Sequence, residues 1–328
     1  MFERILVPLD GSKRSERAIP VAARIARAAT GTVILVQVTE LPSDFFTEGK
    51  YPSQMYPGDL IEEGKALAAN YLDNVSKQSE LVGLKTETRV EHGDAAQSIR
   101  AATEPLGVDL IVMCSHGYTG FKRWALGSVA QKIIPHSSVP VLVLRDGGPT
   151  LSVKPLYALV ALDGSPMSEE VLAPVIQLMA ALAPSEEKTL HLTHVVELPL
   201  TYGRIGIHAY VNQMKEEAKR LSQGYLAAVA ERLTHGDVPG LTVTTSIAVN
   251  VDVAEALVQV AQQQLLAGGH FDLVAMATHG RSGLQRLLMG SMTDHVMSAT
   301  KLPMLVVHPS GQSKQARANN EQRVGVTS

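Results

Sequence analysis

Self-similarity constrains this chain more than any other feature. The segment Arg4-Ile-Leu-Val-Pro-Leu-Asp10-Gly-Ser12 recurs as Tyr157-Ala-Leu-Val-Ala-Leu-Asp163-Gly-Ser165, which sets Asp10 and Asp163 153 residues apart. Thr32-Val-Ile-Leu-Val-Gln-Val38-Thr-Glu40-Leu-Pro42 recurs as residues 189–199, with Val38 facing Val195. Ser115-His116-Gly117 and Gly120 return as Thr278-His279-Gly280 and Gly283, Gly127-Ser128 as Gly290-Ser291, and Val139-Pro140-Val141 as Leu302-Pro303-Met304. Gly117 and Gly280 lie 163 residues apart, so the second copy carries about ten extra residues between its matching elements. Ordered matches of this number mean a duplication, and the chain length of 328 residues agrees with two domains of ordinary size.

Within each copy, short β-branched runs alternate with helical patterns. In the first copy the runs are 5–9, 33–38, 86–90, 110–113 and 141–144, separated by helical spacing over 15–29, 60–79, 95–103 and 129–136. Strands alternating with helices imply parallel pairing and a sheet covered on both faces. The fold class expected is therefore α/β: two tandem doubly wound domains, each with a mainly parallel five-stranded sheet. The boundaries expected are 1–146 and 156–309, a linker at 147–155, and a polar, disordered tail at 310–328. Pro20 and Pro174 fall inside the first helix of each copy, where a kink or early break is expected. The connection 45–59, with Tyr51, Pro52, Tyr56, Pro57 and Gly58, is long enough to be a lid or an interface.

The bulk numbers exclude several functions. A net charge of −3 supplies no basic field for nucleic acid or an anionic membrane. No uncharged apolar stretch approaches the roughly 20 residues of a membrane span. The single cysteine, Cys114, cannot form an internal disulfide and suits a reducing compartment. Residues 1–10 set a short apolar run against a charged turn, unlike a signal peptide, so a cytoplasmic protein is expected.

In a doubly wound sheet, ligands bind outside the carboxyl ends of the strands, where the strand order reverses. The run 110–113 leads into Cys114-Ser-His-Gly117-Tyr-Thr-Gly120 and then Gly127-Ser128 at a helix start. Residues 271–276 lead likewise into Ala277-Thr-His-Gly280-Arg-Ser-Gly283 and Gly290-Ser291. Glycine lets backbone amides approach an anion, and a helix beginning at Gly-Ser offers unpaired N–H groups and a positive dipole end. Both loops lack the Gly-Lys-Ser/Thr of a Walker A loop.

These loops, with the aspartates and the duplication, resemble the universal stress protein family, and two UspA-type domains would cover nearly all of the chain outside the linker and tail. The family's ATP-binding members carry Gly-x2-Gly-x9-Gly-Ser/Thr. Gly117 with Gly127-Ser128, and Gly280 with Gly290-Ser291, match its last two elements; Cys114 and Ala277 replace its first glycine. The resemblance implies that Asp10 and Asp163 contact adenine or its ribose, and that Val38 and Val195 offer backbone hydrogen bonds to the base. Gly93, in His92-Gly93-Asp94, occupies the loop after the third strand, where the second copy has Asn250-Val251-Asp252. The ligand implied is ATP or another adenine nucleotide, with or without Mg²⁺.

Competing readings stand beside these. Asp10 and Asp163 could each cap the following helix, and the glycine loops could be tight turns. Lys122, Arg123, Arg281 and Arg286 could reach phosphates or simply be solvated. His116 and His279 have no nucleophile or orienting carboxylate in their motif, and no His-Glu-x-x-His pattern marks a metal. With no catalytic constellation, the protein is expected not to be an enzyme beyond a slow, incidental ATPase. Its nucleotide would be a regulatory ligand in the stress response, whose binding reshapes the glycine loop and the surface offered to partners. The alternatives are a UspA-fold dimerisation module without nucleotide and an adenine-nucleotide-dependent enzyme. The final apolar strands, 139–144 and 302–307, are expected at the sheet edges, and the resemblance implies that they pair within the chain; a further homodimer is left open.

Overall fold

The computed structural model describes residues 2–40, 57–115, 126–151, 155–197, 207–236, 238–266, 270–278 and 291–309. The chain divides into two compact units, Met1–Gly147 and Gly148–Ser328. Unit 1 runs β1 (Arg4–Leu9), α1 (Lys13–Glu16), α2 (Ala18–Ala29), β2 (Thr32–Thr39), α3 (Pro57–Ser76), β3 (Lys85–His92), α4 (Ala95–Thr103), β4 (Leu110–Cys114), α5 (Ser128–Ile133) and β5 (Val141–Leu144). Unit 2 repeats the plan as β6 (Leu156–Leu162), α6 (Pro166–Glu169), α7 (Leu172–Leu182), β7 (Lys188–Glu197), α8 (Ile207–Thr234), β8 (Leu241–Asn250), α9 (Val253–Leu266), β9 (Leu273–Ala277), α10 (Ser291–Ala299) and β10 (Met304–Val307).

All strand pairs within a unit are parallel. The order is β3-β2-β1-β4-β5 in unit 1 and, read in the same sense, β8-β7-β6-β9-β10 in unit 2. Each is a doubly wound α/β unit. The chain leaves β1 toward β2 on one side and later returns to β4 on the other, so the order reverses between β1 and β4, and between β6 and β9. The central strands carry the core: Ile5, Leu6, Val7, Val33, Ile34, Leu35, Leu110, Ile111 and Val112 are fully buried. Each such side chain contributes about 1.5–3 kcal/mol by leaving water. The outer strands β3 and β8 are half exposed and polar, which blunts an edge.

The prolines break the first helix of each copy, but not where they stand. The break falls at Arg17, between α1 and α2, and at Glu170–Val171, between α6 and α7. Pro20 and Pro174 then lie in the first turns of α2 and α7, where a missing N–H breaks no helical hydrogen bond. Pro135 acts similarly: the helical pattern expected over 129–136 is α5 followed by a 3-10 turn, Ile134–His136. The second copy's surplus lies partly in helices, with 28 residues in α8 against 20 in α3, and 14 in α9 against 9 in α4. Of the connection 45–59, residues 57–59 open α3 and the rest lies outside the described residues, as does the tail 310–328.

Candidate functional site

The carboxyl edge at the reversal is built by strand lengths. The last β1–β2 pair is Leu9↔Gln37, but β2 continues through Val38 and Thr39, paired to Glu91 and His92 of β3. The Thr32 N–H donates to the Glu3 carbonyl on the β1 side, whereas the Thr39 carbonyl accepts from the Gly93 N–H on the β3 side. Successive residues of a strand turn their backbone groups to opposite edges, so Val38 faces β1: its N–H closes the ladder at Leu9, and its C=O stands beyond the point where β1 has ended. Unit 2 repeats this arrangement. The last β6–β7 pair is Leu162↔His194, and β7 runs on to Glu197. The Glu187 carbonyl accepts from Leu156 of β6 while the Lys188 N–H donates to Gly240, so Val195 also turns its backbone groups toward the ended strand.

Carrying the register Ile5↔Leu110 and Leu6↔Ile111 forward brings Asp10 level with Ser115, between Val38 and the end of β4. Ala158↔Leu273 and Val160↔Ala275 bring Asp163 level with Thr278 in the same way. Ser115 and Thr278 are buried to 1% and 2% exposure. Their N–H groups donate to Leu144 and Val307 at 2.8 and 2.9 Å, which fixes the ends of β4 and β9. Sequence reasoning passed over both as sites, although their shared place in the repeat marked them.

The turn after β1 assigns the aspartates a different role from helix capping. Ser12, not Asp10, is the N-cap of α1: its Oγ accepts from the Ser15 N–H at 3.2 Å. Asp10 Oδ1 accepts from the Ser12 N–H at 3.0 Å and from the Ser12 hydroxyl at 2.6 Å. Ser165 likewise caps α6, and Asp163 Oδ1 accepts from the Ser165 N–H at 2.9 Å. Gly11 and Gly164 make these turns at φ +83° and +81°, the left-handed region where glycine carries no steric penalty. Each carboxylate is thereby held at the end of its strand, where the strand order reverses.

The third loop distinguishes the copies. Gly93 has φ +118° and donates its N–H to Thr39 at 3.0 Å. Asp94 then caps α4, accepting from the Gln97 N–H at 2.9 Å, and pairs with Lys132 of α5 at 2.8 Å. The hydrogen bond from Lys132, then that from the Gln97 backbone, holds the Asp94 carboxyl below its usual range. In unit 2, Val251 has no positive φ and is 49% exposed. The turn is held instead by Asn250 Oδ1, which accepts from the Asp252 N–H at 3.2 Å, while Asp252 caps α9. His295 takes the place of Lys132, 3.7 Å from Asp252.

Of the expected anion loop, Gly127 and Ser128 lie in the described residues. Gly127 is the N-cap of α5 at φ −64°, so no left-handed backbone is needed there, and its N–H donates to the Ser115 carbonyl at 2.7 Å. Ser128 is exposed at the first position of α5, and Ser291 opens α10 in the same way. Gly117, Gly120, Gly280, Gly283 and Gly290 lie outside the described residues, as do His116, His279, Lys122, Arg123, Arg281, Arg286 and the side chain of Ser291.

Cys114, at the position of the motif's first glycine, turns its Sγ toward the Ser15 carbonyl at 3.9 Å. Burial pushes its thiol up to about 12, which makes it a packed thiol at neutral pH. In α3, the Tyr71 hydroxyl donates to Glu16 at 3.3 Å, and burial together with the Glu16 charge pushes the phenol's pKa up. Burial alone would raise Glu16, but hydrogen bonds from Lys13, Gln78 and Tyr71 hold it below the usual carboxylate range. Tyr225 and Glu169 are the matching residues of unit 2. Among the described residues no cluster of three His, Cys, Asp or Glu could hold a metal ion, and no helix is long and apolar enough to cross a membrane.

The sequence profile of the Universal stress protein family matches residues 1–145 and again 158–308. The chain belongs to the universal stress protein family. A universal stress protein of Mycobacterium tuberculosis is 27% identical over 326 residues, covering 93% of this chain and 97% of the relative. One from Methanocaldococcus jannaschii is 32% identical over 145 residues, covering 44% of this chain and 83% of that protein. The crystal structure of a universal stress protein from Archaeoglobus fulgidus has a TM-score of 0.61 at 21% identity, covering 93% of this chain and 98% of that one, and shares the fold. The tandem arrangement read from the repeat is therefore shared with a full-length relative.

Proposed function

We propose that this universal stress protein binds an adenine nucleotide, ATP foremost, at the carboxyl edge of each unit, as a regulatory ligand and not a substrate. The observation that carries this reading is the doubled edge itself. In both units the second strand outruns its neighbour, and the backbone carbonyl of Val38 or Val195, past the last ladder bond, stands beside an aspartate. The amino group of adenine can donate to the carbonyl of Val38 or Val195, and ribose hydroxyls suit the carboxylate of Asp10 or Asp163. The phosphates would then extend toward Gly117, Gly120, Gly127 and Ser128, or toward Gly280, Gly283, Gly290 and Ser291, the residues that match the family motif. A Mg²⁺ ion entering with the triphosphate would be held mainly by phosphate oxygens and water.

A regulatory role is favoured because the motif has no P-loop lysine and no positioned general base. Stress signalling in the cytoplasm belongs to the same proposal. The second reading, an interaction module without nucleotide, is favoured in unit 2 by Val251, which gives that loop a different turn from Gly93. Calorimetric titration of the full chain with ATP and with adenosine tests the proposal. Asp10→Ala and Asp163→Ala should each remove one bound nucleotide while leaving the far-ultraviolet spectrum intact. Absence of binding at millimolar ATP would overturn the proposal for both units.

A further inference from the structure

Arg145, the residue immediately after β5, is 5% exposed, yet its buried Nη1 has no hydrogen-bond partner among the described residues. Among the described residues no ion pair reaches its guanidinium. A buried guanidinium nitrogen with neither water nor a counter-charge is strongly unfavourable, because nothing replaces the solvation it has lost. The adjacent carboxylate does not supply the charge: Asp146 turns the other way and pairs with Arg17 at 2.9 Å and Arg14 at 3.9 Å. Those arginines belong to the α1 side of the sheet, toward which Cys114 also points.

Arg145 therefore lies on the opposite face. The last β4–β5 pair is Cys114↔Leu144, so one step further Arg145 stands beside Ser115, in the row that contains Asp10. The second unit displays the same adjacency directly. There the matching residues are Thr278 and His308, and Thr278 Oγ1 lies 3.0 Å from His308 Nδ1. The histidine finds its partner within unit 2; the guanidinium at the same place in unit 1 has none among the described residues.

We infer that Arg145 is the counter-charge for a phosphate group held at the carboxyl edge of unit 1, and that unit 2 has no equivalent cation at this position. The inference rests on the nucleotide reading for the source of the phosphate, but not for the need of an anion. Arginine suits the task because its planar fork stays charged when buried and can take two phosphate oxygens at once. It would make unit 1 discriminate between nucleotides by phosphate, while unit 2 would rely on its loop and backbone.

The test uses the full chain carrying Asp163→Ala, so that adenine binding reports unit 1, with and without Arg145→Met. ATP affinity should fall at least tenfold on Arg145→Met, adenosine affinity should stay within twofold, and the ligand-free melting temperature should hold or rise. Unchanged ATP affinity, or a ligand-free melting temperature lowered by many degrees, would overturn the inference, the latter because the guanidinium would then be paired within the protein. Inorganic pyrophosphate separates this inference from the nucleotide reading. If the wild-type chain binds neither ATP nor adenosine, yet pyrophosphate raises its melting temperature and Arg145→Met abolishes that rise, the anion site stands and the nucleotide reading falls. If pyrophosphate acts equally on the wild type and Arg145→Met, or on neither, Arg145 is not an anion site.

Discussion

Replacing Gly93 by Val would place in unit 1 the side chain that unit 2 carries at Val251, and the two loops should respond unequally. A Cβ at Gly93 would meet Ser98 Oγ at 3.8 Å, an ordinary contact, so crowding contributes little. The cost is backbone: φ is +118°, and a β-branched residue held there stores about 2–3 kcal/mol. Lower entropy of the unfolded chain offsets about 0.5–1 kcal/mol. If the loop relaxes instead, the 3.0 Å bond from Gly93 N–H to Thr39 is lost, at about 1 kcal/mol. The net destabilisation of unit 1 is about 2 kcal/mol, which is a fall of about 4–8 °C in its melting temperature. The protein's single tryptophan, Trp124, belongs to unit 1 and gives its fluorescence signal. Val251→Ala is the control: the residue is exposed and has no positive φ, so the change should stay within about 0.5 kcal/mol. A Gly93→Val shift below about 1 °C, a small fraction of the expected cost, would refute the strain argument. An equal loss from Val251→Ala would refute the claim that the copies differ here.

Three further outcomes follow from the same geometry. Cys114, whose folded pKa is raised to about 12, should react slowly with iodoacetamide at pH 8 in the native protein and rapidly in urea; fast native labelling would mean an accessible thiolate. Because that pKa is raised, the thiol's contribution to stability is complete below the unfolded cysteine value and is lost as pH rises toward about 12. Lys188, 2% exposed, donates to the Ala183 and Glu186 carbonyls at 2.7 Å each, so Lys188→Ala should cost unit 2 about 3 kcal/mol by circular dichroism in urea; a loss under about 1 kcal/mol would show that water replaces the ammonium freely. Asp94 is held below the usual range, so its contribution is present above the ordinary carboxylate pKa and fades as pH falls through its folded value. Lys132→Met should raise the Asp94 pKa in a carbon-detected titration while the Gln97 bond keeps it partly depressed; no shift would show that the ion pair does not hold in solution.

Much of the fold was readable because the duplication doubled every weak signal. A lone Asp-Gly-Ser after an apolar run is ambiguous, but Asp10 and Asp163 in matching frames fixed where the first strands end. The apolar runs gave the central strands, whereas β3 was read as 86–90 and spans Lys85–His92. Its outer residues, Lys85, Glu91 and His92, are polar because the strand is half exposed, so hydropathy could not reveal them. The helix breaks were anticipated at Pro20 and Pro174 but lie upstream, since a proline is best placed just after a break.

The candidate site was legible in its residue types and less so in its geometry. That Val38 and Val195 project past their neighbours follows from strand lengths, which local patterns do not encode. Helix capping belongs to Ser12 and Ser165, a choice between adjacent polar residues that only the turn geometry decides. By sequence Arg145 was only the first polar residue after the apolar run 141–144. Its burial is a tertiary fact, and its matching partner His308 became visible only through the bond to Thr278.

Native mass spectrometry of the full chain titrated with ATP tests the central claim most directly. A first nucleotide should bind and be lost on Asp10→Ala, and a second should appear at higher ATP and be lost on Asp163→Ala. A chain that stays nucleotide-free at millimolar ATP, with its native charge-state distribution intact, would contradict a nucleotide site at either carboxyl edge.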